Sequence, residues 1–429
     1  MVQIDIGSAP SHATAQAMAR PWLIIWLVMA ALTLAALDRQ VLNVLGAVIA
    51  RDLGLTDSQL GLMAGLALTL PYAVFGLPWG WSSDRPRVSR FSVLAAAMAL
   101  WSGMTALGGL ASGFGHLLLS RIGMASGLAG CMPPANSLIA DIAPKAKIAT
   151  AFGIIGLAIP VGSFLAKSFG GVLCDAYGWR ATLGLAAAPA LVLLPCLLAL
   201  RDPRRAIKTA PAPGGSGLGQ AARELLRSRS LISLTLGGLV MSALVAGNSF
   251  WGMMHFQRTL GLSPGQAGLL LGVQGGVTGV VGALGGGWLA DRMSGKDMAR
   301  CLTPAVIGMS LTPLFLIPAW WASDWRLAIV LLTLPTMFDN LCYGGVAAVT
   351  QRLLSPHVRG AATAITGLVG AFVGPGLGVT LMGVSSQALD ALPPSIANGG
   401  TRLTLVGAAL AFIIPAALYR LAQAGLPRD

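Results

Sequence analysis

The sequence predicts an all-α membrane protein, with twelve transmembrane helices in two pseudo-symmetric bundles of six. Three observations lead there. The 429 residues are 55% hydrophobic and only 10% charged, whereas soluble domains carry about 25% charge. Mean hydropathy is +0.75. Apolar stretches of about 20 residues recur along the chain, each long enough to cross a bilayer core of about 30 Å. Finally, the second half repeats the first at a fixed offset. The apolar runs are continuous rather than alternating, which excludes a β-barrel.

The spans fall near 21–49, 58–82, 91–113, 116–139, 148–172 and 180–200, then 231–254, 265–289, 301–321, 326–350, 360–385 and 402–422. The 56 glycines suit close helix packing in lipid. The first run starts too late for a secretory signal and continues past Asp38, so it reads as a retained span. Residues 1–20 form an N-terminal tail, 21–200 the first bundle, 201–230 a linker, 231–423 the second bundle and 424–429 a C-terminal tail. The linker, with its Pro/Gly/Ser-rich centre, is the one long polar stretch and reads as flexible.

The formal net charge of +13 is a matter of topology, not of nucleic acid. Of 28 Lys and Arg residues, 20 lie in the tails, at the inner end of the last span (Arg420), in 201–230 and in the loops at 83–90, 141–147, 290–300 and 351–359. Five (Arg51, Arg180, Arg258, Arg326 and Arg402) lie at the opposite end, and three (Arg39, Arg121 and Lys167) are inside spans. The positive-inside rule puts the larger group, and both termini, in the cytoplasm of a cell (inner) membrane. The five cysteines are scattered without CxxC spacing, and the four histidines form no HExxH or HxxxH pattern. Neither a metal site nor an enzyme active site is expected, and no cofactor. No GxxxxGK[ST] stretch occurs, so a gradient rather than ATP would supply the energy.

The repeat is specific. Leu53, Gly54, Leu55, Gln59, Gly61, Leu62 and Gly65 each recur 207 positions later. So do Gly80, Trp81, Asp84 and Arg85, in GWSSDR and GWLADR. Six duplicated spans indicate a transporter whose two bundles rock about a site between them. The doubled G-x-x-x-D-R loop between the second and third spans of each half resembles the signature of the major facilitator superfamily. Its gate residues here are Gly80, Asp84 and Arg85, and Gly287, Asp291 and Arg292. Each aspartate is expected at the N-terminus of a helix of the other bundle, where the helix dipole favours an anion. Asp84 would face Gly360 and Asp291 would face Ile148, holding the cytoplasmic side shut.

Within that superfamily, DRQVLNVLGAVIARDLGLTDSQLGLMAG in spans 1–2 and SRIGMASGLAG with PPANSLIADIAP in span 4 resemble the spinster-like branch. The resemblance implies functional roles for an Asp-Arg pair in span 1 and an arginine in span 4, here Asp38, Arg39 and Arg121. The branch also commonly has an acid seven residues after that arginine, where this chain has Leu128. Depth alone also brings the first and third of these together. At 1.5 Å per residue, Asp38 lies roughly 26 Å up span 1 and Arg121 about 10 Å below the outer end of span 4. Intramembrane charges are costly unless paired or facing water. Protonation of Asp38 would end its attraction to a guanidinium, which itself stays charged. Asp38 is therefore the expected proton-coupling acid, with Arg121 and Arg39 alternately holding it or a substrate anion. The competing reading is a static salt bridge that fixes packing.

Lys167, Asn248, Asp339 and Asn340 are candidates for the substrate cavity, with His255 a weaker one. Pro160 and Pro375, in the pseudo-equivalent spans 5 and 11, are hinge candidates. The expected function is secondary active transport of a small or amphiphilic organic solute, lysolipid-like or an organic anion, by alternating access with proton coupling. An importer of aromatic or sugar acids would use the same basic residues, and a non-transporting receptor or scaffold would not cycle. The expected partners are that solute, protons and membrane lipids, with the protein acting as a monomer.

Overall fold

The computed structural model describes residues 21–85, 87–144, 147–202, 218–294, 298–355, 358–391 and 399–426. The two tails, apart from 424–426, and linker positions 203–217 lie outside these. Among the described residues, twelve helical rods run between the two ends of the molecule. In the first half, α1 is Pro21–Leu53, α2 Asp57–Asp84 and α3 Arg90–Gly108. The fourth rod, α4, is Phe114–Leu128 continued by Met132–Ile142. The fifth, α5, opens with Ile148–Gly156 and continues into Ala158–Ala187, within which Gly178 at φ 78° turns the chain into α6, ending with Pro189–Leu198. In the second half, α7 is Arg229–Arg258, α8 Pro264–Ser294, α9 Thr303–Trp321 and α10 Trp325–Leu353. The last two are α11 (Arg359–Asp390) and α12 (Gly400–Ala424). By length and composition ten uninterrupted runs in the described residues suffice to cross a membrane. The difference from twelve comes from the break in α4 and the tight α5–α6 corner.

The repeated sequence has a structural reason. Gly54 and Gly261 both adopt positive φ, 63° and 72°, ending the turn before α2 and α8. Thr56 then caps α2: its side chain accepts from the Gln59 amide at 3.3 Å while Gln59 Oε1 accepts from the Thr56 amide at 3.0 Å. Ser263 and Gln266 build the same reciprocal box at 3.2 and 3.1 Å.

The repeated glycines just inside those caps form the seams between the bundles. A side chain at Gly61 would meet the Val379 carbonyl at 3.0 Å and Gly383 Cα at 3.2 Å, and Gly65 is pressed on Gly376 and Thr380. Gly268 and Gly272 pack in the same way on Lys167 and Ser168 of α5. Thus α2 meets α11 and α8 meets α5, each through small residues. An apolar core shared by both halves surrounds these contacts, joining Leu45, Ile49 and Trp179 to Trp251, Met254 and Trp320. The two seams and these named core residues lie at the end of the molecule away from the linker, called the far end below.

Towards the linker end the seams part. Gly76 and Gly80 of α2, Gly153 and Gly156 of α5, Gly275, Gly276 and Gly279 of α8, and Gly360, Gly367 and Gly370 of α11 have no atom within 4 Å of an added side chain. The first bundle keeps its own core there, around Phe91, Met98, Trp101 and Leu138. The C-terminal part of the linker is not loose chain. Leu218–Leu225 is a short helix whose Ala221 and Leu225 pack on Leu354, Val358 and Ala362, and Glu224 accepts the Ser355 amide at 3.1 Å.

Candidate functional site

Neighbouring helix residues point about 100° apart, and this separates Asp38 from Arg39. Asp38 turns into the first bundle and is fully buried. The Arg121 guanidinium of α4 is its electrostatic partner, and the Trp101 indole of α3 lies beside it. Neither carboxylate oxygen nor the indole N–H closes a hydrogen bond. Arg121, 3% exposed, instead directs Nη1 at Met124 Sδ, 3.4 Å away. Acid and base are therefore in electrostatic reach without a salt bridge.

Arg39 turns the other way, into a cavity of about 360 Å³ between the bundles. Tyr72 of α2 is its electrostatic neighbour. Among the described residues it has no hydrogen bond or ion pair. The other walls are mostly apolar, with Leu68, Ile159 and Phe250 facing Gln40, Asn43 and Ser163. Leu128 lines this cavity too, so the residue in the branch's acid position looks towards Arg39.

A second cavity of about 160 Å³ adjoins the first at Ser249, which lines both. It brings Lys167, Asn248 and Asp339 together. Asn340 is not among its lining residues: its amide donates to the Thr336 carbonyl at 2.8 Å and its Cβ packs against Gly282 of α8. His255 is fully buried against Trp320, ring centroids 5.7 Å apart, with both nitrogens unpartnered.

The two prolines differ in setting. Pro375 lies in a seven-residue π-helical segment of α11, Phe372–Gly378, and lines the larger cavity. Pro160 falls in the first turn after the break at Leu157, where its missing N–H costs no helix bond. At the linker end an added side chain at Gly80 or Gly287 would meet no atom within 4 Å. Arg85 stacks on Trp81 at 3.5 Å and Arg292 on Trp288 at 5.3 Å, so the repeated loop keeps one local geometry in both copies. Asp84 makes no contact near Gly360 in this conformation, and the Asp291 side chain lies outside the described residues.

Several polar contacts were not read from the sequence. Asp57 at the start of α2 accepts from Arg258 of α7 at 2.6 Å and from Ser386 of α11 at 2.7 Å. Asp175 of α5 accepts from Ser263 Oγ at 2.6 Å and from the Gly265 amide at 3.0 Å at the start of α8. Both acids cross a far-end seam. Arg90, fully buried, binds Asp202 at 2.7 Å and Asp141 at 2.5 Å, tying α3 to the ends of α6 and α4. The sequence held one signal for the last network: an arginine at the mouth of an apolar span with two acids at the matching mouths of others.

The family model for the Major Facilitator Superfamily matches residues 28–379. The chain belongs to this superfamily. It is a multi-pass integral membrane transporter and not an enzyme. An MFS-type efflux pump of Mycolicibacterium smegmatis (strain ATCC 700084 / mc(2)155) is 31% identical over 97% of this chain and 96% of its own length. A probable galactarate/D-glucarate transporter of Escherichia coli (strain K12) is 24% identical over 75% of this chain and 78% of its own. The fold matches that of a bacterial homologue of the human lysosomal transporter Spinster, crystallised inward-facing and unoccupied, with TM-score 0.83, 23% identity and 98% of both chains covered. That likeness agrees with the spinster-like motifs of spans 1, 2 and 4. This major facilitator thus carries its sequence repeat on a known transporter fold.

Proposed function

We propose that the protein is a proton-coupled secondary transporter of a small or amphiphilic organic solute, working by alternating access. One observation carries the reading: the bundles are sealed at the far end and parted at the linker end around a central cavity that holds an unpaired Arg39. The rule of basic cytoplasmic loops makes the linker end cytoplasmic, so this is an inward-open state. The cavity is complete within one chain, in keeping with a monomer. Arg39 meets the anionic part of the solute, and the apolar walls receive its hydrocarbon part. Asp38 carries the proton. Its charge is set against Arg121 across the α1–α4 contact, so loading a proton removes an electrostatic attraction between these helices. The Leu128 side chain leaves Asp38 as the acid of that relay. The full-length likeness to an efflux pump favours export.

The test is transport by purified protein in proteoliposomes under an imposed pH gradient. Proton-driven accumulation is expected with the wild type and is lost in Asp38→Asn, while exchange of solute without a gradient persists. Gradient-driven accumulation by Asp38→Asn would reject the coupling role. A second reading, uptake of sugar acids, is favoured by the galactarate/D-glucarate relative and the unpaired cations. It requires accumulation with inward proton flow, the opposite direction of solute movement.

A further inference from the structure

The smaller cavity carries charge of both signs, and its walls come from both bundles. Lys167 stands on α5 of the first half, whereas Asn248, Gln274, Trp320, Thr336 and Asp339 belong to the second. Helix α8 fixes the two charges relative to each other. Its Gly268 and Gly272 let the α5 backbone approach at Lys167, and its Gly282 and Gly286 do the same for α10 beside Asp339, where an added side chain at Gly282 would stand 2.7 Å from the Met337 carbonyl.

Asn248, Gln274 and Thr336, uncharged polar groups of this wall, are already engaged. Asn248 donates to the Leu244 carbonyl at 2.8 Å and accepts from the Trp320 indole at 3.2 Å. Gln274 donates to Thr336 Oγ1 at 3.0 Å, and that hydroxyl donates on to the Leu332 carbonyl at 2.8 Å. Lys167 and Asp339 make no hydrogen bond or ion pair with any described residue, and none with each other; Asp339 Oδ1 is buried without a partner. An unpaired charge at this depth is expensive, and two of opposite sign face one space. The space itself, about 160 Å³, holds on the order of five water volumes, the size of a compact headgroup rather than of a whole solute.

We infer that this cavity is a headgroup subsite for a zwitterion. Asp339 takes the ammonium group of the solute, with the Trp320 ring beside it, and Lys167 takes the anionic group. The apolar body extends past Ser249 into the larger cavity. The inference rests on the transport reading and narrows it: a solute bearing both charges satisfies both walls, while a simple organic acid leaves Asp339 unpaired.

The test is equilibrium binding to the full-length protein in nanodiscs, followed by tryptophan fluorescence. Three probes share one six-carbon chain: an alkyl sulfobetaine, an alkyl sulfate and an alkyltrimethylammonium. The sulfobetaine is expected to bind about tenfold or more tighter than either of the others. Asp339→Asn is expected to weaken the sulfobetaine and the ammonium probe and spare the sulfate; Lys167→Gln is expected to weaken the sulfobetaine and the sulfate and spare the ammonium probe. Wild-type protein that holds the sulfobetaine no tighter than the sulfate overturns the inference without any variant. So does an equal loss of all three probes in both variants, the mark of a purely conformational pair. Selective sulfobetaine binding without any gradient-driven transport would keep the subsite and reject the transporter mechanism. Transport of a simple anion unchanged in Asp339→Asn would do the reverse.

Discussion

A single arginine shows how far a charge count can mislead. Arg90 is one of the 20 basic residues that set topology, yet none of its side chain is exposed. Its guanidinium forks onto Asp202 at 2.7 and 3.1 Å and donates to Ser137 at 2.9 Å. Removing one partner of a buried ionic cluster leaves the rest uncompensated, at a cost of about 3–5 kcal/mol. Arg90→Ala should therefore lower the melting temperature sharply in detergent relative to the wild-type protein. Arg90→Lys is expected to fall between them, since an ammonium cannot reproduce the planar fork. Asp38 presents the opposite case. Its depth near Arg121 was legible from helix rise alone, but not its orientation away from Arg39. A sequence gives the 100° between neighbours without saying which face meets the cavity.

At the scale of elements, the seams explain both the repeat and its limits. Of the glycines that recur at the offset of 207, Gly61 and Gly65 with Gly268 and Gly272 are those on which α2 and α8 touch the opposite half, so this part of the duplication marks an interface. The caps at Thr56 and Ser263 were readable from the same pattern. What fastens the interface was not, because Asp57 and Asp175 find partners more than 80 residues away, and no local pattern encodes such pairs. Two predictions belong here. Gly65→Ala forces a methyl against Gly376 and Thr380, so it should loosen the far-end seal and cost about 1–3 kcal/mol, read as a lower melting temperature. Gly76→Ala, about three turns along α2 with no atom within 4 Å of an added side chain, should be neutral or slightly stabilising in the same assay. Asp57→Asn ends the ion pair with Arg258 while keeping the hydrogen bond from Ser386. It should shift the population towards a far-end-open form, seen as faster labelling of a thiol at Ser58→Cys. Unchanged labelling would make Asp57 a packing residue and no latch.

For the whole molecule, the separation of the two ends is the property on which the mechanism stands. Among the described residues, those at one end touch across both seams, and those at the other touch across neither. If the halves rock, the second set must meet when the first set parts. Ser58 and Gln387 mark the closed end: the Ser58 amide donates to Gln387 Oε1 at 3.2 Å. Gly80 and Gly360 mark the open one. Cys196, the exposed native cysteine, is first replaced by serine so that the labels are specific. A short reducible bis-thiosulfonate should then join Ser58→Cys to Gln387→Cys in the resting protein and stop transport, and thiol reduction should restore it. The same reagent should join Gly80→Cys to Gly360→Cys poorly at rest and better once turnover draws the linker ends together, again with loss of transport. Full transport with either end locked would mean that the halves do not need to rock. The seams would then be a fixed scaffold, and the cavity between them a channel or a receptor pocket.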